Sequence, residues 1–563
     1  MSIRCLAVAA LATAAASLPA AAQGRASRRA APAAAAPATA AEITEADLRH
    51  RLFLYADDSM MGRNTGSAEH VKATDYIAAE LKRLGVEPAG ENGTYFQTLP
   101  IVERALDTSV LPAVDGVTLD PAKDFIARDQ GPNTRSMDGA TVIFGGTFGD
   151  AASLIPAEQA AGKVVVLKLA GASPTVARAA VRTRFPGAAG LVIASADRIP
   201  PALAASLREN ITGFELGPDA PAEPAYLYAT TATASRLLGA SIDSVAPGTL
   251  GRTVTGTVRF VSKPIEHPVR NVVGIVRGRD PALSKEFVSL GAHSDHIGYL
   301  KGQSFDHDSV HIGNQLFRQG GADSPPTRLT AAQLDELRAK IAEVRKDRPA
   351  RRDSIFNGAD DDGSGSMGLL EVAEWFATRT GDARPKRSVL FVWHAAEEVG
   401  LWGSEWFTDH PTVPREQIVS NINLDMIGRG AAGDAPKGGP QYLEILGSRR
   451  LSTEYGDLVE AVNKEQPQPF ALNYEYDAPG HPQQYYCRSD HWNYARYGIP
   501  TVFFSSGGHA DYHMVSDEPQ YIDYPRYARV TRFVKDVAQA VANRAQRPAV
   551  DKQVPGPKAQ CVQ

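Results

Sequence analysis

Phe287-Val288-Ser289-Leu290-Gly291-Ala292-His293-Ser294-Asp295-His296 is an apolar run of strand length that breaks into a cluster of imidazole and carboxylate side chains. The same device recurs downstream. Residues 271–276, 388–393, 418–424 and 500–505 are apolar runs of similar length, separated by helical stretches such as 366–377. That alternation predicts an α/β fold with a mainly parallel central sheet flanked by helices. In open sheets of this kind ligands bind beyond the carboxyl ends of the strands. His293, the pair Glu397-Glu398, Asp425 and, after a longer loop, His513 all follow such runs. Asp361, in Asn357-Gly358-Ala359-Asp360-Asp361-Asp362-Gly363-Ser364-Gly365, instead precedes a Gly-rich helix start.

Carboxylate oxygens and neutral imidazole nitrogens suit zinc, and a site that keeps a position for water is catalytic. Two zinc ions about 3.5 to 4 Å apart can share a carboxylate and a water, activating the nucleophile and polarising the carbonyl under attack. His293, Asp361, Glu398, Asp425 and His513 supply such a set, so the chain reads as a metallohydrolase. Of the Glu397-Glu398 pair, one member can ligate metal while its neighbour acts as general base. Asp295, two residues from His293, is suited to orient that imidazole. Tyr512 can donate its phenolic proton to a developing oxyanion. His296, His491 and His509 neighbour these motifs and are candidates to line the pocket, whereas His307, His311, His410 and His481 read as surface or satisfied polar residues.

The 563 residues exceed one ordinary domain, and 59 basic against 64 acidic side chains give a net charge of only −5. No basic or acidic block is present, which argues against nucleic acid as a partner and favours peptide substrates. Residues 1–22 read as a secretory signal peptide ending in Ala20-Ala21-Ala22, too short for a comfortable membrane span. The mature protein is therefore expected to be exported, periplasmic or extracellular, without stable membrane insertion. Residues 23–43 are Ala/Pro/Arg-rich and read as a disordered leader. Cys487 and Cys561 survive processing, and either one disulfide or two free thiols fits so small a count.

Residues 44–104 and 263–546 read as the catalytic domain. Between them, 105–262 carries short β-type runs (140–144, 164–169, 190–193, 253–261) with few catalytic residue types, and reads as an inserted β-rich domain. A stretch from 300 to 353 has no strand signal but contains a capping-box helix starting at Thr330, with Leu334, Leu337, Ile341 and Val344 on one stripe. It is expected to be a surface helix, a lid or an oligomerisation element; oligomeric state is left open. The tail 547–563 reads as loose.

In order and local sequence the set resembles the zinc aminopeptidase family that also contains glutamate carboxypeptidase, the glutaminyl cyclases and the transferrin receptor ectodomain. Gly62-Arg63-Asn64-Thr65-Gly66-Ser67 and Tyr76-Ile77-Ala78-Ala79-Glu80-Leu81 resemble its N-terminal segment, residues 105–262 its protease-associated insert, and Ser489-Asp490-His491 its C-terminal third. The resemblance implies two zinc ions per chain, His293 and Asp425 on one, Glu398 and His513 on the other, and Asp361 bridging. It implies Glu397 as general base, with Asp360 and Asp362 as neighbours through which the bridge register can slip by one. The expected activity is release of N-terminal residues from peptides. A carboxypeptidase or dipeptidase would use the same centre, a glutaminyl cyclase would need one zinc, and a receptor-like protein would have lost the ligands. The stretch between His293 and Asp361 is longer than the family's usual connection.

Overall fold

The computed structural model of the protein describes residues 39–128, 133–209, 211–215, 222–325, 328–430 and 438–563. The expected signal peptide and most of the leader lie outside the described residues. The chain divides into two compact units, residues 100–266 and a larger unit built from the chain on either side of it, against the 105 and 262 read from the sequence.

The larger unit contains helices α1 (Glu45–Tyr55), α2 (Ala68–Arg83), α3 (His307–Phe317), α4 (Ala331–Val344), α5 (Gly365–Ala377), α6 (Trp402–Asp409), α7 (Thr453–Lys464), α8 (His491–Ala495) and α9 (Tyr524–Asn543). The strands of its main sheet are β1 (Glu87–Pro88), β2 (Phe96–Thr98), β3 (Arg270–Val276), β4 (Phe287–His293), β5 (Ser388–His394), β6 (Ile418–Leu424), β7 (Tyr442–Leu446), β8 (Ala471–Asn473) and β9 (Thr501–Ser505), and Phe305–Asp306 pairs with Arg352–Asp353 in the stretch where no strand was expected. The sheet runs β1-β3-β5-β4-β6-β9-β7-β8, with β2 also on β3. The central strands β5, β4, β6 and β9 are parallel. β3 and β7 join them antiparallel. The run 271–276 thus departs from the parallel set, because the short connection to β4 holds only one 3₁₀ turn, too little for a crossover helix.

Every residue of β4, β5 and β6 is buried, which explains their unbroken apolar character. Alternate side chains serve two layers. Val272, Val288, Leu290 and Phe391 pack with residues of α1, α2, α5 and α9. Val273, Phe287, Leu390 and Val392 meet Phe407 of α6 and Tyr494 of α8 on the other face. Each such side chain contributes about 1.5–3 kcal/mol of burial. Arg51 of α1, fully buried, is ion-paired to Glu371 at 2.9 Å and to Glu374, both on α5.

Two segments expected to be loose are held. At the end of the leader, Thr39 donates to Glu374 at 2.7 Å, and Arg379 donates to the Ala41 carbonyl at 2.9 Å. The C-terminal tail is tied by a disulfide between Cys487 and Cys561. The Asp551 N–H bonds the Leu451 carbonyl at 3.0 Å, and Arg496 donates to the Pro557 carbonyl at 2.7 Å. The 300–353 stretch forms an α3–α4 helical pair. α4 opens with the expected Thr330/Gln333 capping box but carries no fully buried residue. His307, expected at the surface or in polar contacts, is buried in α3 with its Nε2 3.0 Å from Glu518. No helix among the described residues is long and apolar enough to cross a membrane.

The unit 100–266 is built on an eight-stranded sheet. Its inner strands Thr141–Phe148, Val164–Leu169, Gly190–Ala194 and Ala225–Ala229 are parallel, with an apolar cluster on each face. Ile211–Phe214, Ile101–Leu106 and Phe260–Pro264 form a second, three-stranded sheet. The run 253–261 is therefore two strand segments in two sheets. The break falls at Gly256, whose φ of 73° and close approach to the Leu111 carbonyl, 2.3 Å from where a Cβ would sit, require glycine.

Candidate metal centre

Parallel pairing brings the ends of β4, β5 and β6 to one edge of the sheet, and the candidate residues stand there. His293 closes β4. Glu397 and Glu398 follow β5 after Ala395 and Ala396, Asp425 follows β6, and Asp361 lies in the Ala359–Ser364 turn that leads into α5. His513 comes from the loop after β9. Three non-glycine residues beside these side chains have positive φ: Ala396 (60°), Met426 (60°) and His513 (55°). Such conformations cost about 1 kcal/mol or more each and persist where the surroundings over-determine them. Around Met426 the cause is visible, since its N–H donates to Asp362 at 3.1 Å and its carbonyl accepts from Ser506 at 2.6 Å.

Two donor clusters share one carboxylate. His293 Nε2 lies 3.2 Å from Asp361 Oδ1 and 3.7 Å from Asp425 Oδ1. His513 Nε2 lies 2.8 Å from Asp361 Oδ2 and 3.1 Å from Glu398 Oε2. With zinc–ligand bonds near 2.0–2.2 Å, the edge of a tetrahedron of donors is about 3.4 Å, and these separations straddle it. The geometry groups His293, Asp361 and Asp425 as one candidate site, and His296, Asp361, Glu398 and His513 as another.

Asp360 and Asp362 are engaged elsewhere. Asp360 accepts from the Gly428 N–H at 2.6 Å and from Ser364 at 2.8 Å. Asp362 accepts the N–H groups of His293, Gly365 and Met426 at 2.9 to 3.1 Å. Asp361 is thus the member of the acidic triplet that faces both His293 and His513.

The electrostatics are those of a cation site. Burial alone disfavours charge on the imidazoles, yet Glu397 and Asp425 beside His293, and Glu398 and Asp361 beside His513, pull both upward, His513 to about 10. Burial would likewise raise Asp361, but His293 and His513 hold it well below the usual carboxylate range. Positive charge at this spot is strongly favoured, and dications can supply it in place of imidazolium protons. The Glu397 carboxyl behaves oppositely, pushed well up by burial and then by Glu398, Asp425 and Asp490.

Asp295 takes a different role from the one expected. The His293 Nδ1 lies 3.1 Å from the Asp295 main-chain carbonyl, while the carboxylate stands 3.8 Å off. That carboxylate accepts the main-chain N–H groups of Glu397 at 3.0 Å and Glu398 at 3.4 Å, and the Thr65 hydroxyl at 2.8 Å. Tyr512 stacks on His513 with ring centroids 4.1 Å apart. Its oxygen accepts from Arg488 at 2.9 Å, and Arg488 is held by Asp323 at 2.8 and 3.2 Å. Burial raises the Tyr512 phenol, so it keeps its proton at neutral pH.

Several supporting contacts were not expected from the sequence. Asp517 accepts the Asp360 and Asp361 N–H groups at 3.0 and 3.1 Å, fixing the turn. Ser489 donates to Asp425 at 2.7 Å, and Asn271 accepts the Ala395 N–H at 2.9 Å. His311 Nδ1 lies 3.0 Å from Asp511, linking the α3–α4 insertion to the loop of His513. Of the three histidines expected near the pocket, His296 reaches the second donor cluster, His509 lies 3.2 Å from Asp360, and His491 is buried against Tyr486 and Phe503 away from both clusters. The local Asp511-Tyr512-His513 and Ser489-Asp490-His491 motifs were the available signals for this second ring of contacts.

Residues 271–538 match the model of peptidase family M28, a span that holds all five candidate ligands and Glu397. The chain carries a peptidase family M28 domain. Among curated proteins it is 38% identical over 79 residues to leupeptin-inactivating enzyme 1 of Streptomyces exfoliatus, covering 14% of this chain and 18% of that protein. It is 38% identical over 99 residues to an aminopeptidase of Pseudomonas aeruginosa, covering 16% and 18%. The chain thus spans less than a fifth of the length of these relatives. Solved structures similar to this chain include the zinc aminopeptidase of Bacillus subtilis, at 14% identity and TM-score 0.46, covering 92% of this chain and all of that one. The aminopeptidase from Aneurinibacillus sp. strain AM-1 aligns at 16% identity and TM-score 0.45, covering 91% and 97%.

Proposed function

We propose that this protein is an exported di-zinc exopeptidase that releases N-terminal residues from peptides. The observation that carries the reading is Asp361, whose two carboxylate oxygens stand against His293 on one side and His513 on the other. Zinc, when bound, would polarise the scissile carbonyl and make the attacking water more acidic. The chain's own residues do the rest. Glu397, its backbone fixed by Asp295, takes a proton from the attacking water and returns it to the departing amine as the C–N bond breaks. Tyr512 accepts from Arg488, which leaves its own O–H free to donate to the oxyanion.

Polarity follows from charge. Glu397, the acid beside the two donor clusters that belongs to neither, is the group that can favour a free amine. Arg488, the cation touching Tyr512, is already engaged by Asp323 and so is a poor receptor for a C-terminal carboxylate. Carboxypeptidase or dipeptidase action is therefore the weaker reading, and a one-zinc glutaminyl cyclase does not use both donor clusters. Export is supported by the character of residues 1–22 and by the Cys487–Cys561 pair, a bond that persists in oxidising compartments. The 100–266 unit is read as protease-associated-like on its resemblance.

The test is a panel of free, N-acetylated and C-amidated peptides incubated with the zinc-loaded protein, with products identified by mass. Free peptides should lose N-terminal residues, N-acetylated ones should be cut far more slowly, and amidation should matter little. Efficient cleavage of acetylated peptides with strict need for a free carboxylate would reverse the polarity.

A further inference from the structure

The five ligands implied by family resemblance leave one imidazole unexplained. His296, three residues beyond His293, is fully buried. Its Nδ1 lies 2.7 Å from Glu398 Oε1 and 3.8 Å from Asp361 Oδ2, and its ring meets that of His513 edge-on with centroids 5.4 Å apart. Neither ring nitrogen of His296, nor Glu398 Oε1, has a hydrogen-bond partner of proper alignment. A buried imidazole with both nitrogens unsatisfied is costly unless something else engages it. Two lone-pair donors brought within 2.7 Å without hydrogen-bond alignment are the arrangement expected of two ligands to one cation.

The ring is also held in place. The main-chain N–H of His296 donates to the Arg63 carbonyl at 3.2 Å. Gly358 closes the other side so tightly that a Cβ there would sit 2.5 Å from the imidazole. Arg63, fully buried, donates to the Asn357 and Gly358 carbonyls at 2.7 and 2.9 Å, locking this wall to the Asp361 turn.

We infer that His296 is a sixth protein ligand, completing a four-donor site with His513, Glu398 and Asp361, while the site of His293, Asp425 and Asp361 has three protein donors. The inference rests on the di-zinc reading above. It makes the centre asymmetric. Zinc with four protein ligands is coordinatively closed in the manner of a structural ion, whereas three ligands leave a position for water or substrate. The His513 ion is then the tightly held one, and the His293 ion is the one that exchanges and meets the substrate.

X-ray absorption on the zinc-loaded full chain, compared with His296→Ala and His296→Asn, tests this, with zinc per chain measured after dialysis against a chelator. Three imidazoles over two ions give about 1.5 per zinc in the wild-type protein, falling to about 1.0 in either variant if both ions remain. One ion of the wild type should resist chelation, and that resistance should fall at least about tenfold in the variants. An imidazole count of about 1.0 in the wild type, unchanged by substitution, overturns the inference while leaving a di-zinc enzyme. Failure of the wild-type protein to bind zinc would instead overturn the metallopeptidase reading itself. Circular dichroism of the metal-free proteins separates ligand loss from misfolding, and the asparagine variant, which keeps a polar group in the cavity, guards against collapse of the alanine one.

Discussion

The carboxylate of Asp295 accepts the main-chain N–H of Glu397 at 3.0 Å, tying the strand that ends at His293 to the turn that carries both glutamates. Through this contact a residue just beyond one strand sets the position of the proposed base beyond its neighbour. Asp295→Ala should therefore lower kcat by about 10- to 100-fold while leaving zinc content near that of the wild type. Glu397→Gln should lower it by about 10² to 10⁴, because the amide keeps the shape but cannot take a proton. Steady-state kinetics beside metal analysis of both variants checks this. A metal-replete Glu397→Gln protein with normal turnover would remove that residue from the mechanism.

Asp361 faces both donor clusters and Asp425 only one. Asp361→Ala should consequently disturb both ions, and Asp425→Ala mainly the one shared with His293. Zinc per mole of protein after gel filtration distinguishes them. Retention of two ions by Asp361→Ala, with loss in Asp360→Ala, would shift the bridge by one residue.

The central strands were legible because a parallel strand buried on both faces must be apolar throughout, and 287–292, 388–393 and 418–424 have that character. The ends of those strands then marked the site. The contact made by Asp295 was not legible. A spacing of two puts side chains on one face only while a strand continues, and β4 stops at His293, so the chain turns and sends the carboxylate to the next loop. His296 was expected in the pocket, but its reach toward Glu398 was not legible for the same reason, since it depends on that turn and on Gly358. α3 escaped notice because it contains Gly313 and Asn314 and owes its stability to α4, Tyr521 and Glu518 rather than to propensity. Two cysteines beyond the expected signal peptide left their pairing open, and only the fold of the tail brings them together.

The Cys487–Cys561 bond closes a sequence separation of 74 residues, for which chain entropy alone suggests about 4 kcal/mol. Peptide mapping without reductant should recover the two cysteines in one linked species. Reduction or Cys561→Ser should free the tail and raise hydrogen exchange around Leu451 and Arg496, whose partners Asp551 and Pro557 lie on it. Recovery of two free thiols from the native protein would refute the link.

Glu444, on β7, should make stability fall with rising pH. Burial lifts its carboxyl to about 7, although the Tyr442 hydroxyl donates to it. Because the folded value exceeds the unfolded one of 4.5, the folded state keeps a proton that the unfolded chain gives up. This group's contribution is therefore fully present below about pH 4.5 and is lost as pH rises to about 7, a change of at most about 3 kcal/mol. Glu444→Gln replaces the acid with a neutral group that can still accept from Tyr442, so it should gain relative to the wild type as pH rises from 5 to 8. Denaturation midpoints of both proteins at these two pH values test the sign. Equal pH dependence of the two midpoints would show that Glu444 titrates alike in the folded and unfolded chains.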